Sequence, residues 1–447
     1  MNDTGLTTFI SFVGHIQFHE HQMPLKFRAK IAGNGEVEFE FETMPISKDT
    51  TFIYREWDSN RRTLNKFSLS GISEDGIRFS TENLFFTSMK SSIGDANGDT
   101  MNPIGSCITA HFYRKLAEPV VYPSARMWLK GFQNFRELRT ECSLGSVAMN
   151  GASDIQNPDA LTGNILVKSN AIPLDLAAWR QSADKMFEHL RRIMSFASAV
   201  VLHSPVCEYF NGSEVEVVTW AQVSQSRASM RVIHYLNQEP IFLAAVTSYF
   251  SPPVEVKNLF HAIEWFAMDA TYNEVQLVNA MTVLENLVTS NLGDDSTLIL
   301  EKPQFKKVRE SLRETIRSCI ENSPSDRAVA NPEVLKELYE RLGDLNRRSI
   351  FKKLMILVHR WSVPLEGITA TKIKEAKKAR DHIVHTGHYT PGKDDELWDH
   401  AMVIRELVVR FLFTAIGYKG PYISFVGGMH HAAFPPQTII QEDATLN

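Results

Sequence analysis

The spacing of apolar residues changes partway along the chain, and that change demands two kinds of architecture in succession. In the first part the period is two residues. "LKFRAKI" sets Leu25, Phe27, Ala29 and Ile31 against Lys26, Arg28 and Lys30, and "EVEFEFE" sets Val37, Phe39 and Phe41 against four glutamates. Strands with one buried face require this alternation. Between them, Asn34-Gly35 tolerates the positive φ of a tight turn, and the basic and acidic faces can pair across one antiparallel hairpin. Asp75-Gly76 turns a second hairpin in "FSLSGISEDGIRFS". Further short strands are expected around 51–56, 106–114, 126–131 and 164–168, which makes about 1–170 β-rich.

From 175 the period becomes helical. Leu176, Trp179, Met186, Leu190, Met194 and Phe196 predict a helix near 175–200 that packs on the sheet. "SPPVEV" (251–256) is a stiff, non-helical break that marks a domain boundary. Beyond it, one helical pattern covers 257–292 and another carries the stripe Phe305, Val308, Leu312, Ile316 and Ile320. Asn331 and Pro332 suit the N-cap and first helical position of the next helix, and Ser349 opens another. A helix from Thr371 to Gly387 and a last one over about 394–417 complete the pattern. The expected fold is α+β and multidomain: a β-rich N-terminal domain (1–250), an all-α helical bundle (251–420) and an extended C-terminal tail (421–447).

At 447 residues the chain exceeds one ordinary core. Its net charge of −5 gives no global argument for nucleic-acid binding, so any such surface must be local. The N-terminal "MNDTGLTTFISF" carries no signal-peptide pattern, and "VIRELVVRFLFTAIG" (403–417) is too short and too charged to span a bilayer. Cys107, Cys142, Cys207 and Cys319 form no CxxC pair and read as reduced thiols. A cytoplasmic protein with no membrane partner is expected.

The chemistry concentrates in "KIKEAKKARDHIVHTGHYT" (372–390). At 100° per residue, Arg380 lies about 20° from Ile373 and about 40° from Val384, within the apolar stripe Ile373, Ala376, Ile383, Val384. Lys374, Lys378, Asp381 and His385 run along an adjoining face, with Lys377 beside them. This set can support RNA cleavage without a metal or cofactor. A neutral imidazole takes the proton of a ribose 2′-hydroxyl, a guanidinium holds the phosphate by two hydrogen bonds, and lysines attract the backbone. Asp381 is placed one turn before His385, where it can orient the ring. An arginine facing inward can equally be a structural residue paired with Glu285 or Asp344.

"RDHIVH" (380–385) resembles the Arg-[Asn/His/Asp]-x3-His signature of the HEPN superfamily, helical bundles that include many ribonucleases. The layout of a β-rich half followed by such a bundle is similar to the Apea-like HEPN proteins of bacterial anti-phage defence. The resemblance implies an endoribonuclease with Arg380 and His385 as catalytic pair and Asp381 as their polar partner. It further implies a composite site formed when two bundles dimerise, which would explain an arginine in an apolar stripe. It also implies an effector of abortive infection that cleaves host tRNA or other cellular RNA, with a phage protein as possible trigger. The alternative is a non-catalytic HEPN module that binds RNA, a nucleotide or a protein partner. The tyrosine that some HEPN toxins carry two residues after the histidine is replaced by Gly387, with Tyr389 two later.

His382 and His388 are auxiliary candidates. "HEH" (19–21) and "MHH" (429–431) each lack a nearby third ligand and read as exposed segments.

Overall fold

In the computed structural model, residues 6–47, 50–53, 55, 66–92, 99–134, 136–152, 157, 159–221, 230–268, 270–321 and 332–436 are described. The chain divides into two compact units, Met1–Tyr249 and Phe250–Asn447. A large antiparallel sheet fills the first, and helices make up most of the second.

The first unit begins with β1 (Ile10–Phe18), β2 (His21–Ile31), β3 (Val37–Phe41) and β4 (Met44–Pro45). The predicted alternation holds residue by residue: Leu25, Phe27, Ala29 and Ile31 are buried, as are Val37, Phe39 and Phe41. Gly35 takes φ +86° in the β2–β3 turn. Arg28 and Lys30 pair with the facing Glu40 and Glu38, each at 2.8 Å. These pairs are exposed except at the half-buried Lys30 and contribute about 0–1 kcal/mol each, so the buried phenylalanines hold the hairpin and the charges only favour its register. The second predicted hairpin joins β5 (Phe67–Ile72) to β6 (Arg78–Ser92), with Gly76 at φ +77°.

Beyond them run β7 (Thr100–Cys107), the long β8 (Thr109–Lys130), β9 (Leu138–Cys142), β10 (Gly145–Gly151), β11 (Leu161–Lys168) and β12 (Val206–Trp220). The sheet order is β3-β2-β1-β5-β6-β8-β11-β10-β9, with β12 along β8 and β7 beside β6. Phe12, Phe27, Phe79 and Phe112 form the centre of its core, with ring centroids 5.0 Å apart for Phe79–Phe112 and 5.2 Å for Phe12–Phe27. Such ring pairs add about 0.5–1.5 kcal/mol beyond their buried area. One expected strand is absent: residues 51–53 are helical. There the Ser47 amide donates to Thr50 Oγ1, whose hydroxyl donates to the Pro45 carbonyl at 2.6 Å, and these local bonds curl the chain.

The predicted helix is α1 (Leu176–Ser198), capped by Asp175, whose carboxylate accepts from the Ala178 amide. Its buried face is Met186, Leu190, Met194 and Phe196, while Leu176 at its start is exposed. His189 on the same helix is buried, with Nε2 3.0 Å from the Ala245 carbonyl and 3.2 Å from Ser248 Oγ of α2 (Glu239–Phe250). Burial pushes its pKa down to about 4. Because the folded value is depressed, the unfolded chain takes up the proton first. The stability His189 contributes is therefore complete above about pH 6.5 and is lost as pH falls to about 4, a change of about 3 kcal/mol. Urea midpoints at pH 7 and pH 4.5 should show this loss, and His189→Gln should remove that part of the pH dependence.

The second unit contains α3 (Leu259–Ala267), α4 (Asn273–Asn291), α5 (Asp294–Thr297), α6 (Lys302–Glu321), α7 (Pro332–Arg341), α8 (Ile350–Trp361), α9 (Ala370–Thr386) and α10 (Asp394–Ile416). The single helix expected over 257–292 is two. The backbone is extended at Met268 and Tyr272, and the Gln276 side-chain amide donates to the Ala270 carbonyl, which holds the break. Ser349 caps α8 as expected, through a bond from the Lys352 amide. Asn331, the expected N-cap of α7, lies outside the described residues. The stripe of α6 does not close into a core, for Phe305, Leu312, Ile316 and Ile320 are half-buried and Val308 is exposed. The central helix is α10, buried on nearly every side from Leu397 to Ile416.

Within the segment 421–447, expected to be an extended tail, the chain instead forms a hairpin of β13 (Gly420–Ser424) and β14 (His430–Phe434). Tyr422 and Phe434 place their rings 5.3 Å and 5.2 Å from that of Phe413 on α10, and this apolar contact folds the segment back. No helix among the described residues is long and apolar enough to cross a membrane.

Candidate functional site

The helix that carries the Arg-x4-His motif, α9, is capped by Thr369, whose Oγ1 accepts from the Lys372 amide at 3.2 Å. That is two residues before the expected Thr371. Gly387 ends it in the left-handed conformation at φ +82°, as its lack of a Cβ suits. The buried face is Ile373, Ala376, Ala379 and Ile383. Val384, expected in that stripe, is 56% exposed. The contact face drifts toward Ala379, leaving Arg380 at its edge and Val384 outside it.

The Arg380 side chain is 22% exposed and its charge is met from two sides. Nη2 donates to both carboxylate oxygens of Glu285 on α4, each at 2.8 Å. Nη1 donates to Asp381 Oδ1 at 3.2 Å. The Nε–H is buried and has no hydrogen-bond partner among the described residues. Of the two acids available to an inward arginine, Glu285 is the partner, while Asp344 pairs with Arg347 at 3.5 Å.

His385 is exposed at the last turn of α9, and no side-chain partner is found for it among the described residues. The expectation that Asp381 orients its ring is not met. Asp381 turns to Lys377 and Arg380 instead, because both cations lie within one helical turn. Partial burial pushes the Asp381 carboxyl up, but the hydrogen bonds and charges of Lys377 and then Arg380 outweigh it and hold its pKa below the ordinary value. Lys377 is thereby engaged within the helix. Lys374 lies over the Phe351 ring of α8 at 4.9 Å, and Lys378 is exposed. Lys374, Lys378 and His385 keep their common stripe.

Arg380 and His385 are five residues apart, so their side chains project about 140° from each other around the helix. One points toward α4 and the other to solvent. A single copy of α9 therefore does not bring both side chains to one point.

The other histidines build the turn after the helix. The ring centroids of His382 and His388 are 6.4 Å apart, and Tyr389 lies 6.3 Å from His382 and 6.3 Å from His400. Tyr389 donates to Glu396 Oε1 at 3.0 Å, and His388 Nδ1 lies 3.1 Å from the Thr386 carbonyl. Glu396 and His400 were not singled out in the sequence, and Tyr389 was noted only for its spacing from His385, since the three meet only when α10 folds back along α9.

Among the described residues, no three His, Cys, Asp or Glu side chains come together as a metal site needs. His19, Glu20 and His21 line an open cavity of about 800 Å³ with Phe52 and Arg55, and His21 stacks on Phe52 at 5.5 Å. His430 lines a smaller cavity of about 380 Å³ with Arg410 and Tyr422. In comparisons with known proteins, no family model, curated protein or solved structure matches the chain.

Proposed function

We propose that the chain is a metal-independent endoribonuclease acting as a homodimer, with Arg380 and His385 as its catalytic pair. The observation that carries this reading is the open stripe of α9, where Lys374, Lys378 and the exposed His385 follow one another, with a partly exposed Arg380 on the side of the same helix that faces α4. The lysines attract the RNA backbone. The neutral imidazole takes the 2′-hydroxyl proton, the freed oxygen attacks the adjacent phosphorus, and the bond to the 5′-oxygen breaks as that oxygen gains a proton from an imidazolium. The guanidinium stabilises the charge that builds on the phosphoryl oxygens. The divergence of the two side chains on one helix supports a site shared between two copies. By its resemblance to HEPN effectors, the protein acts in the cytoplasm in anti-phage defence, cleaving tRNA or other cellular RNA on infection. In that scheme the β-rich unit senses a phage product or keeps the nuclease in check.

A second reading is favoured by the ion pairing of Arg380: a non-catalytic helical module that binds RNA, a nucleotide or a protein partner, with Arg380–Glu285 as a fastening between α9 and α4. Incubating the purified protein with labelled RNA in excess EDTA separates the two. The nuclease reading expects cleavage to continue and to leave 5′-hydroxyl and 2′,3′-cyclic phosphate ends. Intact RNA, or cleavage only after a divalent cation is restored, would overturn it.

A further inference from the structure

We infer that Glu285 is a built-in competitor of the RNA phosphate for Arg380, so that the site is closed until α4 releases it; this rests on the ribonuclease reading. An arginine has five N–H donors. Here Nη2 is held 2.8 Å from both oxygens of Glu285, and Nη1 donates to Asp381. The Nε–H faces buried surroundings without a hydrogen-bond partner. Both terminal nitrogens are thus engaged by carboxylates, and the two parallel donors that a phosphate requires for a bidentate contact are not free together.

The two carboxylates differ in what they lose if Arg380 turns to a phosphate. Asp381 keeps Lys377, its neighbour one turn earlier. Glu285 has no second cation among the described residues. It would remain beside the bound phosphate as an uncompensated like charge, so it must swing toward water or move away with α4. Its 32% exposure leaves the first course open. Glu285 thus sits in the anion seat of Arg380, and displacing it is the step that admits RNA.

The test measures binding rather than turnover. In a His385→Ala background, which keeps the RNA intact, the affinity for a fluorescein-labelled single-stranded oligoribonucleotide of mixed sequence is read by anisotropy, with and without Glu285→Gln. The expected result is binding about tenfold tighter with Gln, and a return to the starting value when Arg380→Ala is added. Unchanged or weaker binding by a folded Glu285→Gln protein overturns the inference. Glu285→Ser provides the same reading if the Gln variant fails to fold. If neither folds, the pair is a structural fastening and the inference falls. If the His385→Ala protein binds no RNA in any of these forms, the ribonuclease reading fails with it. Cleavage by the parent without tighter binding by the Glu285 variants removes the gate alone.

Discussion

Replacing Glu406 with alanine is expected to destabilise the helical unit by about 3–5 kcal/mol, because it strands a buried cation. Arg410 and Glu406 lie one turn apart on α10 with side chains only 8% and 3% exposed, and Nε meets Oε1 at 2.9 Å. The Tyr422 hydroxyl of the C-terminal hairpin donates to the same carboxylate oxygen. The other end of the guanidinium, Nη1, donates to the carbonyls of Pro364 at 3.1 Å and Glu366 at 2.8 Å. One carboxylate therefore satisfies a cation and a phenol while that cation holds the α8–α9 connection. With alanine, Arg410 keeps two neutral acceptors and Tyr422 loses its own. Glu406→Gln preserves the shape and an acceptor, so it should cost less. Chemical denaturation of the three proteins checks the order. As a contrast, Glu40→Ala removes an exposed partner of Arg28 and should change stability by at most about 1 kcal/mol. Equal effects at the two positions would refute the assignment of Glu406 as a buried charge partner.

His385→Ala is expected to lower RNA cleavage by about 10²–10⁴-fold, the range general acid–base catalysis usually supplies, with the melting temperature unchanged. The second half of that expectation comes from the structure, since His385 is exposed and has no side-chain partner among the described residues. Arg380→Ala is less informative: it should also abolish cleavage, but it orphans the Glu285 carboxylate and loosens α9 from α4. Toxicity on expression in cells, scored beside the melting curves, provides the reading. Undiminished toxicity of a stably folded His385→Ala protein would remove His385 from the mechanism.

What the sequence disclosed follows the range of the forces involved. The two hairpins are local: alternating burial and a glycine turn fix them within about twenty residues, and both appear at the expected turns. Helix ends governed by one side chain, such as Ser349 and Gly387, were equally legible. Thr369 was missed because Thr371, two residues on, meets the same capping rule, and only the path of the chain chooses between them. The break at Met268–Tyr272 depends on a side-chain bond to a turn that carries no Gly or Pro. The site divides in the same way. Helical phase gave the stripe of Lys374, Lys378 and His385, because it lies on one element. The environment of Arg380 depends on which helix packs against α9, so Glu285 was only one of two acids available to it. Val384 was misplaced because a short contact need not follow the ideal period.

The pairing of β8 with β12 also governs how the first unit is made. Trp220 pairs with Thr109, and β9, β10, β11 and α1 are all synthesised between them. During translation the β8 edge that β12 covers waits unpaired until residue 220 has left the ribosome. In the helical unit α9 and α10 are neighbours in sequence, while Glu285 of α4 lies 95 residues before its partner Arg380. Pairings of high sequence separation close slowly, and open strand edges invite association with other chains. Truncation before β12 should therefore yield an aggregating chain.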